Sequence, residues 1–153
     1  AIAQFLPSVP FPHAEALAGP LPADCSGPTA GIGPLWNSFY APLAGLGLSG
    51  VLWYQGETDT MHEGTRAAYR CALTSMLNSW RQHFQAAQGI LPVVVVLLHS
   101  YHCKTPLGNA VVRGHQMAVA HQAPRVTLVP GWDTSHKTKS HPLDKVTIAA
   151  RAA

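Results

Sequence analysis

A chain of 153 residues, 47% of them hydrophobic, is about one domain long and can bury a sizeable core, which excludes a disordered composition. Charged residues make up only 11%, against roughly 25% in an average globular protein, and Gly and Pro stand at 13 each, so much of the chain is expected to be loop. The formal net charge is +3, but Lys and Arg are scattered, with only Lys137 and Lys139 loosely paired, so no basic face for nucleic acid is expected, and the longest apolar run, Val93 to Leu98, falls short of the roughly 18 residues of a membrane span.

Pro7, Pro10, Pro12, Pro20, Pro22, Pro28 and Pro34 interrupt any helix or central strand before it could form. Residues 1–33 are therefore expected to be a Pro-rich extended surface loop or linker, natural as a connection whose upstream half is missing. Ala1 to Pro12 has neither the basic start nor the apolar centre of a signal peptide. Cys25, Cys71 and Cys103 match no zinc or redox spacing, and the redox compartment stays open.

From Pro34 the chain turns aromatic and apolar, and Leu35 to Leu43 reads as a short helix packed under a sheet. Gly50-Val51-Leu52-Trp53-Tyr54-Gln55-Gly56-Glu57-Thr58-Asp59 reads as a buried strand over 51–55 running into a polar loop. Thr65 to Gln88 is the clearest helix, with Tyr69, Leu73, Met76, Leu77, Trp80 and Phe84 on one stripe and Gly89 as its C-cap. Leu91 to Leu98 has the β-branched run of a parallel strand covered on both faces. Pro106 to Gln122 reads as a second helix, with Val111, Val112, His115, Met117, Ala118 and Val119 on its amphipathic face. Arg125 to Val129 is a third strand, and Pro142 to Ala153 a last helix. The alternation of strand and helix implies a parallel sheet with right-handed crossovers.

Ligands of open α/β sheets bind beyond the carboxyl ends of the strands, which places Gln55, Glu57 and Asp59 where a site would be expected. His99, His102 and Cys103 follow the Val-rich strand, but no fourth ligand stands at a recognisable spacing, so no metal is expected. His141 precedes Pro142 at a loop-to-helix junction, with Asp133 earlier in the same loop. A histidine so placed near a carboxylate is the general-base half of a Ser-His-Asp arrangement; the bland alternative is an exposed His before an N1 proline.

Trp36-Asn37, Pro42-Leu43, the Trp53-Tyr54-Gln55-Gly56-Glu57 block, Trp80-Arg81, Leu91-Pro92, Arg113 with Gln116, and His141-Pro142-Leu143-Asp144-Lys145 together resemble the sialate O-acetylesterase family of the SGNH-hydrolase group. The resemblance covers residues 34–153. It implies a three-layer α/β/α flavodoxin-like domain with a parallel sheet, incomplete at its N-terminus, that removes O-acetyl groups from sialic acids by a serine-esterase mechanism without a cofactor. By that match His141 is the catalytic histidine, Gln55 and Gly56 lie beside the oxyanion, and Glu57 braces its loop. Arg113 and Gln116 match a possible substrate-side pair. The family's Asp shortly before the histidine is replaced here by Thr138 and Lys139; Asp133 is then the best substitute for the orienting carboxylate, the alternative being an ordinary Asp in a Trp-Asp-Thr turn.

The family's Gly-Gln-Ser-Asn block, which carries the nucleophilic serine, does not occur. Ser49 precedes a strand, whereas a nucleophile elbow follows one, and Ser38, Ser75 and Ser79 fall in expected helices. The chain is therefore expected to be the C-terminal part of such a catalytic domain, inactive alone and needing the N-terminal part to complete its site. A non-catalytic carbohydrate-binding or interaction module on the same scaffold, or an acetyl-xylan-type esterase of the group, are the alternatives. Family analogy alone suggests a lysosomal or secreted location.

Overall fold

The computed structural model describes residues 2–5, 33–86, 89–101, 107–136 and 138–153. Most of the expected linker lies outside the described residues, as do His102 and Cys103. Eight elements carry the fold: β1 (Gly47–Leu48), β2 (Val51–Trp53), α1 (Glu63–His83), β3 (Gln85–Ala86), β4 (Val93–Val96), α2 (Gly108–Gln122), β5 (Val126–Val129) and α3 (Lys145–Ala152).

The molecule is α/β, with every strand pairing parallel. β4 lies between β2 and β5, and its register aligns Val51 with Val93 and Val126, and Trp53 with Val95 and Leu128. These two rows belong to the hydrophobic core, together with Leu73, Met76 and Leu77 of α1 and Val112 and Val119 of α2. Side chains alternate across a strand, so Val94 and Val96 face the other way. There the side chains of Val96 and Ile148 of α3 both close on Gly131, where an added Cβ would lie 2.5 Å from the Leu97 carbonyl oxygen. Leu52 on the same face is 52% exposed, so the cover of the second face is partial.

The stripe on α1 is buried along its whole length, as its period requires. The helix stops at His83, more than a turn before Gln88, because Phe84 turns extended with its N–H on the Trp80 carbonyl. Gln85 and Ala86 are instead recruited as β3, which pairs with β1 in a second small parallel sheet. Gly89, with φ of +79°, serves a later turn and not the helix end. On α2 the buried face is Val112, Gln116 and Val119, while Val111 and Met117 of the expected face are 41% and 53% exposed. α3 starts at Lys145 and not at Pro142, because Asp144 caps it by accepting from the Thr147 N–H at 3.0 Å and the Thr147 hydroxyl at 2.7 Å.

Two apolar segments pack against α1. Trp36–Tyr40 forms a π-helical turn that sets Trp36 against Trp80, His83 and Phe84, in the same core as Trp53 and Val93 of the sheet. Ile2–Phe5, expected within a surface loop, forms a 3-10 turn with Ile2 2% exposed. Phe5 meets Trp53 edge-on at 5.0 Å, and its carbonyl accepts from the Trp80 indole at 3.2 Å. Proline content limits regular structure but says nothing about burial, which explains the difference. Cys71, on α1, is disulfide-bonded. Among the described residues no helix is long and apolar enough to cross a membrane.

Candidate active site

The carboxyl ends of β2, β4 and β5 open onto one edge. Tyr54 to Glu57 leave β2, Leu97 to His99 leave β4, and Pro130 to Thr134 leave β5. The β2 loop is the most tightly determined. The Gln55 carbonyl accepts from the Tyr69 hydroxyl at 2.9 Å and from the Gln116 amide at 3.3 Å. The Gln55 side-chain amide donates to Asp59 at 2.7 Å, and Asp59, 1% exposed, also accepts from the Ile2 N–H at 3.0 Å. Gly56 has φ of +148°, and a Cβ there would stand 3.0 Å from Val112. Only glycine passes this point without strain.

Gln116 and Arg113 do different things. Gln116 is fully buried; its amide also reaches the Val96 carbonyl, and its oxygen accepts from the Leu98 N–H at 3.0 Å. It ties the ends of β2 and β4 together beneath the edge and has no exposed surface to offer a substrate. Half-buried Arg113 donates to the Leu98 carbonyl at 3.0 Å and to Ser100 at 3.2 Å, on the edge itself.

Glu57 is half-buried, and its carbonyl accepts from the Tyr101 and Thr60 hydroxyls at 2.8 and 2.7 Å. Burial pushes its carboxyl above the ordinary range. Its own backbone N–H, the His141 and Lys145 charges and the Gly56 N–H pull it back. Burial likewise lifts the Tyr54 hydroxyl to about 12, with the Glu57 charge adding and the Thr134 hydroxyl opposing. Lys145 stands 4.3 Å over the Tyr54 ring. His99, with no exposed surface, places Nδ1 3.5 Å from the Tyr54 hydroxyl. Burial holds it below the usual histidine range, and the Lys145, His141 and Arg113 charges push the same way, against the Lys139 carbonyl.

The exposed His141 lies within electrostatic reach of Glu57 and His99, on both of which its charge acts. Asp133 goes elsewhere: both its carboxylate oxygens accept from Arg151, at 2.7 and 2.6 Å, which gives it a partner on α3 in place of the histidine. Tyr69 and Lys145 complete the arrangement without having been singled out for it in the sequence, as does His99, which was weighed only as a metal ligand, while Asp59 was marked with the loop after the strand. Tyr69 was indistinguishable from the rest of the core stripe.

An exposed imidazole and a half-buried carboxylate within reach of its charge, over a loop of fixed shape, are groups that can support proton transfer. The family model described as carbohydrate esterase, sialic acid-specific acetylesterase matches residues 38–149. The sialate O-acetylesterase of Mus musculus is 32% identical over 133 residues, covering 76% of this chain and 24% of the relative. That of Homo sapiens is 29% identical over 133 residues, with 76% and 25% covered. The chain spans about a quarter of the length of these relatives. The crystal structure of a carbohydrate acetylesterase from Xanthomonas citri superimposes with a TM-score of 0.58 at 25% identity, over 67% of this chain and 24% of that one. The three parallel strand ends, the glycine-bound loop after β2 and these matches agree, and the chain belongs to the carbohydrate esterase family of sialic acid-specific acetylesterases.

Proposed function

We propose that this chain supplies the histidine side of a sialate O-acetylesterase site. His141 is the general base and acid, and Glu57 is the carboxylate that supports it. The Glu57 carboxyl, half-buried in the fixed loop after β2 and acted on by the His141 charge, supports the reading, and the pairing of Asp133 with Arg151 favours Glu57 over Asp133 for the supporting role. Gln55 and Gly56 shape the floor of the oxyanion side, Arg113 lies on the substrate side, and Gln116 positions them from below.

In this reading a serine from outside these 153 residues attacks the acetyl carbonyl while His141 takes its proton. Collapse of the tetrahedral intermediate breaks the bond to the sugar oxygen, and His141 returns the proton to that leaving hydroxyl. Water, deprotonated by His141, then releases acetate from the acyl-serine. A buried carboxylate with an upward-shifted pKa is itself expensive, which is what a site tuned for charge stabilisation shows.

The test is acetate release from O-acetylated N-acetylneuraminic acid. The 153-residue chain alone is expected to release none, and His141-dependent release by it would defeat the assignment of the serine elsewhere. In a longer polypeptide joining these residues to the Gly-Gln-Ser-Asn block, His141→Ala is expected to abolish turnover. There Glu57→Gln should lower kcat roughly 10³–10⁴-fold, as loss of a triad carboxylate does, and Asp133→Asn far less; the reverse order would restore Asp133 to the triad. A panel including acetylated xylose separates sialate from plant-sugar specificity, since the same residues serve both.

A further inference from the structure

We propose that Trp132 is a sugar-stacking subsite, its indole taking the apolar C–H face of a pyranose ring beside the candidate esterase edge. The nature of the ligand rests on the esterase reading above; the surface itself does not. Trp36, Trp53 and Trp80 are 3%, 5% and 5% exposed, whereas Trp132 is 50% exposed. A large amphipathic ring left half in water offers contact area that a polar, hydroxyl-rich ligand with one apolar face can cover.

The residues around it are pinned, so the indole is presented on a rigid support. Thr134 donates to the Gly131 carbonyl from its hydroxyl at 2.7 Å and its N–H at 3.2 Å. Arg151 donates to the Pro130 carbonyl at 2.7 Å and grips Asp133 with two bonds. Gly131 is packed so closely on the Leu97 carbonyl that no side chain fits. Binding to a surface already ordered avoids the entropic cost of fixing a loop. The turn also belongs to the site's edge: it follows β5, and the Thr134 hydroxyl acts on Tyr54, whose ring lies under Lys145. The exposed Asp133–Arg151 pair, whose carboxylate is on the residue after Trp132, offers hydrogen-bonding groups for ring hydroxyls.

The experiment is a titration of the ¹⁵N-labelled chain with N-acetylneuraminic acid, and separately with methyl xyloside, following the tryptophan indole N–H signals. The Trp132 signal, identified by its loss in Trp132→Phe, is expected to shift saturably while the three buried indoles stay still. In saturation-transfer measurements Trp132→Ala should weaken binding roughly tenfold, and Trp132→Phe less, because a smaller ring still stacks. A Trp132 signal indifferent to both sugars, or undiminished binding by Trp132→Ala, overturns the subsite. Sugar binding needs no serine, so the two readings fail separately. Saturable binding without esterase chemistry in any form of the protein keeps the subsite and sinks the esterase reading, and an active enzyme whose Trp132 ignores sugar does the reverse.

Discussion

His99 shows most plainly what the fold does to a single residue. It has no exposed surface, and its pKa is held down by burial first and then by Lys145, His141 and Arg113, against the Lys139 carbonyl. The folded state therefore binds fewer protons at this site than the unfolded chain does. Its stabilising contribution is complete above the ordinary value of 6.5 and is lost as pH falls from there through the lower folded value. Thermal unfolding followed from neutral to mildly acid pH should show this loss, and His99→Gln should flatten it; an unchanged slope would remove His99 from the account. Glu57 has the opposite sign. Its raised pKa makes the folded state bind more protons just above 4.5, so Glu57 lowers stability as pH rises through that window. Gln55 and Glu57 were legible in the sequence because a polar run after an apolar strand marks a loop. The pairing of Asp133 with Arg151 was not legible, because loop spacing does not say which cation a carboxylate will meet.

Elements were legible where one periodicity decided them. The α1 stripe and the valines of β4 stand out because burial on one face, or on most of two, leaves a pattern that neighbours cannot disguise. Boundaries were not, because they depend on partners: α1 ends early since Gln85 and Ala86 have β1 to pair with, and α3 starts late since Asp144 caps it. α3 owes its position to Ile148, 3% exposed, and to the clasp of Arg151 on Pro130 and Asp133. Arg151→Ala is expected to speed amide hydrogen exchange in Lys145–Ala152 and in the Trp132–Thr134 turn and to leave β4 protected. The effect on global stability should be small, because the ion pair is largely in water. Equal acceleration throughout the chain would mean that the clasp supports the whole fold and not one helix.

On the scale of the whole molecule, Asp59 joins parts that are far apart in sequence: it holds the Ile2 N–H and the Gln55 amide at once, coupling the first turn to the candidate site. Asp59→Ala leaves two donors without their acceptor and is expected to cost about 1–3 kcal/mol in urea unfolding, the usual range for orphaned buried polar groups. Asp59→Asn, which keeps one oxygen, should cost less; equal costs would mean that the bonds to Ile2 and Gln55 contribute little. The sequence by itself determined the fold class, the order of the main strands and helices, the family and the polar loops that follow the strands, because periodicity and short motifs are local properties of the chain. Only the tertiary structure decided that Gln116 is a buried tie between β2 and β4, that Asp133 pairs with Arg151, and that Ile2–Phe5 packs against the core. Each of these is a pairing between distant segments, set by how β2, β4 and β5 align their ends, and no local spacing encodes it.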